Sequence, residues 1–135
     1  MRAKSILPAV LYLFIITACQ SLPANFDAAK FGKVERDITY CIMQGVELKM
    51  DMYYPTARQK QWPVVVHIHG GGWTSGTKGL DSMIDVNGLS KVGILLVSAE
   101  YRLAPEYKFP AMIEDVKCAV RYLRPHAAKY NIDST

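Results

Sequence analysis

Val64-Val-Val-His-Ile-His-Gly-Gly-Gly-Trp73 is the stretch whose reading decides the fold. A run of β-branched residues broken by few polar ones fits a strand covered on both faces, as in a parallel sheet. Three consecutive glycines then let the backbone turn sharply and bring bare N–H groups close to whatever lies beyond the strand end. A flexible turn would use the same residues. The histidine before the glycines and the tryptophan after them give the segment a chemistry that a plain turn does not need.

The flanking sequence supplies the layers around that strand. Val34 to Tyr40 reads as a first strand. Val46, Leu48, Met50 and Met52 alternate with polar residues, so Gly45 to Tyr53 is expected as an antiparallel strand with one apolar face. Pro55 and the polar Thr56 to Gln61 make a turn into Pro63–His69. Leu80 to Lys91 is expected as a helix, with Asp81 near its start and Gly93 just past its end; Gly88 weakens it by about 1 kcal/mol relative to alanine. Val92 to Ala99 is the next buried strand. A second helix is expected from Pro110, a residue favoured at the first helical position. Its Met112, Val116, Ala119, Val120 and Leu123 form one apolar stripe, Glu114 and Asp115 suit its positive end, and Pro125 ends or kinks it. Strand, helix, strand, helix is the rhythm of an α/β fold with right-handed crossovers.

A second segment makes the assignment specific. Val97-Ser-Ala-Glu-Tyr-Arg-Leu-Ala-Pro-Glu106 is followed by Phe109-Pro-Ala-Met-Ile-Glu-Asp-Val116. Together with His69-Gly-Gly-Gly72, this resembles the α/β-hydrolase esterases and lipases, over roughly residues 34–135. The fold class implied is α/β: the N-terminal half of an α/β-hydrolase, a mostly parallel sheet flanked by helices. In that family the His-Gly-Gly-Gly loop accompanies a Gly-x-Ser-x-Gly nucleophile elbow, and its amides face the oxygen that becomes negative when an ester carbonyl is attacked. The resemblance therefore implies that Gly71 and Gly72 donate backbone N–H groups to an oxyanion. Gly70 would serve the turn, and His69 would hold the loop by hydrogen bonds without acting as a base. Trp73 would line the acyl or alcohol pocket or pack over the loop, while Tyr101 and Arg102 would brace it.

No Gly-x-Ser-x-Gly occurs in the 135 residues; Ser75 comes nearest but is flanked by Trp73 and Thr77. In this fold the acid and the base follow the serine in chain order, so the resemblance implies that the whole triad lies beyond Thr135. The chain is expected to be a fragment truncated before the nucleophile elbow and inactive by itself, with a parallel strand left unpaired at one edge. An edge of that kind invites association. A product that never folds stably is a further possibility.

The first residues have a different logic. Arg2 and Lys4 precede an apolar run from Ile6 to Ala18, followed by Cys19. About thirteen apolar residues are too few for a bilayer span, which needs about twenty, but suit an export signal. Ile16-Thr-Ala-Cys19 resembles a bacterial lipobox, which implies a signal peptide over 1–18, lipidation at Cys19, a tether over 19–33 and a hydrolase domain over 34–135. Several acyl chains suffice for stable anchoring where one is marginal. Gln20, in place of an aspartate, favours the outer membrane by the same resemblance, and secretion is the other option.

Charge and cysteines exclude more than they assign. Of 16 basic residues against 12 acidic, two belong to the signal region, and no basic run suggests nucleic acid. Cys41 and Cys118 lack metal or redox spacing and read as buried thiols, although sequence cannot decide whether they pair. His67 and His69 share one strand face, but no third ligand lies near, so neither metal nor cofactor is expected. The function expected is serine-dependent hydrolysis of a small-molecule or glycan ester. The compact layout resembles feruloyl and acetyl-xylan esterases, with an arylformamidase-like amide hydrolase as one alternative. A non-catalytic envelope lipoprotein that uses the scaffold for binding is the other.

Overall fold

In the computed structural model, residues 31–80 and 84–134 are described. The expected signal peptide, Cys19 and most of the tether lie outside them. The folded body takes in Phe31 to Lys33, which the sequence had placed in the tether: Phe31 is buried and the Gly32 amide donates to the Tyr54 carbonyl at 3.0 Å.

Four strands form one mixed sheet: β1 (Lys33–Met43), β2 (Val46–Tyr54), β3 (Val64–Ile68) and β4 (Leu95–Ala99), in the order β1-β2-β4-β3. β1 and β2 are an antiparallel hairpin whose two-residue turn, Gln44-Gly45, has φ of 53° and 81°. Positive φ at both turn positions matches the twist of the flanking strands. β2 pairs antiparallel with β4, and β3 pairs parallel with β4 from Val64↔Leu95 to Ile68↔Ala99. All five residues of β4 are buried, whereas β3 is only partly covered and Val65 is exposed. Beyond the β4 ladder, β3 has a single bridge at its entrance, where Trp62 pairs in parallel with Ile132.

The helices cover both faces. α1 (Val86–Lys91) packs with Phe31, Tyr53, Leu80 and Leu96 on one side. It is shorter than the 80–91 helix expected. Its cap is Asp85, whose carboxylate accepts from the Gly88 amide at 2.9 Å; Asp81 lies outside the described residues. On the other face α2 (Ala111–Leu123) and a short α3 (Ala127–Tyr130) close a core of Leu48, Met50, Met52, Leu95, Val97, Ala119 and Leu123. Pro125 does end the second helix, and α3 follows after one turn.

Cys41 and Cys118 are not free thiols. Cys41 on β1 and Cys118 on α2 form a disulfide across a sequence separation of 77 residues. The separation hides the pair from sequence reading: only the packing of α2 against β1 brings their Cα atoms to 6.3 Å.

Candidate active site

β3 ends where the glycines begin, at the strand end where parallel sheets place their ligands. The turn falls on Gly71 and Gly72, with φ of 113° and 62°; Gly70, expected to serve it, has an ordinary backbone conformation. A Cβ on Gly71 would lie 2.0 Å from the Ser75 carbonyl oxygen, so only glycine lets the loop fold back on itself there. The Gly71 carbonyl accepts from the Thr74 and Ser75 amides, both at 3.2 Å. Both glycines are exposed, and neither amide has an acceptor among the described residues. These are bare donors held in a fixed loop.

His69 anchors that loop from beneath. It is buried, its Nδ1 lies 2.8 Å from the Gly70 carbonyl and its Nε2 lies 3.1 Å from Glu100 Oε1. Both ring nitrogens are thus taken up by the scaffold, one by the loop's own carbonyl and one by Glu100. Tyr101 stacks on it with centroids 4.1 Å apart and donates to the His69 carbonyl at 2.8 Å. Burial raises the Tyr101 phenol, which keeps it a donor. Gly76 has φ of 108°, and a Cβ there would meet His69 Nδ1 at 2.3 Å; it lets the returning strand of the loop touch the imidazole.

Four residues that sequence reading missed extend this support. Glu100 takes His69 on one oxygen and the Lys78 amide, at 3.1 Å, on the other. Burial alone would raise its carboxyl, but the His69 and Lys78 hydrogen bonds outweigh that and hold it below the ordinary 4.5. Lys78 Nζ in turn reaches Asp51 at 2.7 Å and Asp37 at 3.0 Å. Asp51 is 2% exposed. Asp37 sits at an irregularity of β1 with φ of 57°, and its amide donates to Asp51 at 2.9 Å. A polar chain thus runs from the first strand through Lys78 and Glu100 to the histidine under the glycines. The only sequence signal was the placement of these charges within strands and loops that otherwise read as buried.

Two expectations divide. Tyr101 braces the glycine loop, whereas Arg102 does not touch it. The Arg102 guanidinium grips Asp115 through Nε and Nη2, at 2.7–3.1 Å, and reaches Gln44 at 3.0 Å. Asp115, read as a helix-dipole residue, is fully buried by this pair, which fixes α2 to the corner after β4. Trp73 packs edge-on against Tyr101, its centroid 5.4 Å away, and remains 43% exposed beside the bare amides. His67 is bonded to Ser98 at 3.0 Å, and no metal-binding cluster occurs among the described residues.

A parallel βαβ unit with exposed glycine amides at its strand end fits the α/β-hydrolase fold, and comparison with known proteins supplies the family. The chain belongs to the BD-FAE family, whose model matches residues 50–135. It is 38% identical over 101 residues to Carboxylesterase NlhH of Mycobacterium tuberculosis, covering 73% of this chain and 30% of that protein. It is also 33% identical over 91 residues to an arylesterase of Saccharolobus solfataricus, covering 67% and 29%. Among solved structures, a truncated carbohydrate esterase from gut microbiota superposes with a TM-score of 0.71 at 29% identity, over 85% of this chain and 40% of that one. The chain thus spans under half the length of each of these relatives.

Proposed function

We propose that this chain carries the oxyanion loop of a serine-dependent carboxylic ester hydrolase. The observation that carries the reading is the pair of exposed, acceptor-free amides at Gly71 and Gly72, on a loop held by His69, Glu100 and Tyr101. Attack on an ester carbonyl builds negative charge on its oxygen. Amides already aimed at that oxygen stabilise the transition state more than the ground state, and one such donor is worth about 3–4 kcal/mol. Because His69 is buried with both ring nitrogens engaged by Gly70 and Glu100, it is a positioning residue, and the base and the nucleophile are assigned to residues after Thr135.

For substrate, we favour short-acyl or carbohydrate esters. The similarity to a protein described as a carbohydrate esterase supports that choice, as does the open, half-exposed Trp73 beside the loop. For location, we favour a lipid anchor at Cys19 in a bacterial envelope. The Cys41–Cys118 disulfide supports export, because such bonds persist in oxidising compartments.

The decisive experiment is to read the coding sequence past Thr135: a Gly-x-Ser-x-Gly within the next strand and turn is expected, and its absence would end the serine reading. The 135-residue chain should neither hydrolyse p-nitrophenyl acetate above a heat-denatured control nor be trapped by a fluorophosphonate. Stoichiometric trapping would mean that a serine present here, Ser75 first, is the nucleophile. Labelled fatty acid should enter the protein and be lost in Cys19→Ser; label retained in that variant would rule out the anchor.

A further inference from the structure

The end of the sheet opposite the glycine loop is basic. β1 begins there and β2 ends there, joined by the Gly32–Tyr54 hydrogen bond. The connection after β2 carries Arg58 and Lys60, and it is tied to the end of α1 by Thr56 N to Ser90 Oγ at 3.4 Å. The entrance to β3 is tied to the chain after α3 by Trp62 N to the Asn131 carbonyl at 2.8 Å. α1 and α2 end here and the short α3 lies here, bringing Lys91, Arg124 and Lys129. These five side chains and Lys33 are all exposed.

Among the described residues, acidic side chains at this end are few. Glu35 is occupied by Lys33 and Tyr54, and Asp133 is the other. Arg58, Lys60, Lys91 and Arg124 make no ion pair among the described residues. Exposed carboxylates gather at the opposite end, on Glu47, Glu106 and Glu114. Lys91, Arg124 and Lys129 also complement helix C-termini, a sufficient structural reason for them alone. Arg58 and Lys60 lie in the connection after β2 and belong to no helix. Beside Lys91, Val92 is 63% exposed, an apolar side chain on the same basic surface.

Where the chain enters the fold selects the partner. Phe31 and Gly32 lie at this basic end, twelve residues after Cys19, a separation of at most about 40 Å however the chain runs. We propose that this basic end docks on an anionic phospholipid surface, so that the glycine loop faces away from the membrane. The proposal rests on the anchored-lipoprotein reading for its biological setting, but the surface it names is independent of the acyl chains. Anchoring supplies proximity; the lysines and arginines, acting within a Debye length of the headgroups, supply orientation. An ester site turned outward reaches substrates too large to enter the headgroup layer.

The test uses the full chain carrying Cys19→Ser, so that no acyl chain contributes, and sedimentation with two kinds of vesicle. One is phosphatidylglycerol with phosphatidylethanolamine, the other phosphatidylcholine alone. Each basic side chain near an anionic surface strengthens partitioning about fivefold. The variant Arg58→Gln/Lys60→Gln/Lys91→Gln/Lys129→Gln, checked for unchanged circular dichroism, should therefore lose at least about tenfold in partitioning onto the anionic vesicles. Its partitioning onto phosphatidylcholine should not change, because residues 1–18 are the same in both proteins. High salt should remove the preference of the unsubstituted chain. Equal partitioning of the two proteins onto anionic vesicles would overturn the proposal. So would equally tight binding of a short DNA duplex, which would mark the surface as a general polyanion binder. Fatty-acid labelling reads the anchor separately, so failure of one leaves the other standing.

Discussion

Lys78→Met removes the cation that holds the loop after the glycines against the sheet. In the native fold its Nζ lies 2.7 Å from Asp51 and 3.0 Å from Asp37, with the lysine side chain 19% exposed and that of Asp51 3%. Breaking a buried pair by deleting one partner costs about 3–5 kcal/mol, because the other charge is left without compensation. Asp51 keeps the Asp37 amide at 2.9 Å and Arg36 at 3.5 Å, which places the expectation at the lower end, about 3 kcal/mol. Urea titration followed by tryptophan fluorescence would read this as a lower midpoint at unchanged slope. Asp51→Asn in the same background should then cost far less than it does alone, since the nearest cation to the charge it removes is already gone. The alkaline limb gives a second handle. Burial alone would lower the Lys78 ammonium, but Asp51 and Asp37 outweigh it and raise it above the ordinary 10.5. Its contribution is therefore complete below that pH and lost as the pH rises through the folded value. Lys78→Met should lack that loss. A cost under about 1 kcal/mol, or single costs that simply add, would refute the buried clamp.

Two further outcomes follow from the geometry. Gly71→Ala would put a methyl 2.0 Å from the Ser75 carbonyl oxygen, so on the serine-hydrolase reading acyl transfer, assayed in a protein that also carries the triad, should fall by roughly 10²–10³ in kcat; Gly70→Ala, with nothing within 4 Å, should be close to neutral, and equal effects would dissolve the oxyanion assignment. Cys41→Ala/Cys118→Ala releases a 77-residue constraint on the unfolded chain and should cost about 4 kcal/mol; an unfolding midpoint the same with and without dithiothreitol would contradict the bond.

What the sequence determined by itself was local. The alternation over 46–53, the β-branched run at 64–66 and the stripe on 112–123 each follow from contacts within one element, so strands and helices appeared where periodicity placed them. Three adjacent glycines after a strand announced bare amides for the same reason: the property belongs to the residues themselves. The tertiary structure decided everything that depended on partners far apart in the chain. Asp115 could be read only as a helix-start charge until Arg102 met it from the corner after β4. Nothing in the sequence singled out Lys78 or Asp51; an irregularity in β1 brings Asp37 to them. Cys41 and Cys118 had no local sign of pairing, because their approach is set by how α2 lies on β1. Burial makes the two charge pairings strong, since charge counts most where water is excluded, whereas the disulfide acts by constraining the unfolded chain. Burial is a property of the assembled sheet, and a linear sequence does not display it.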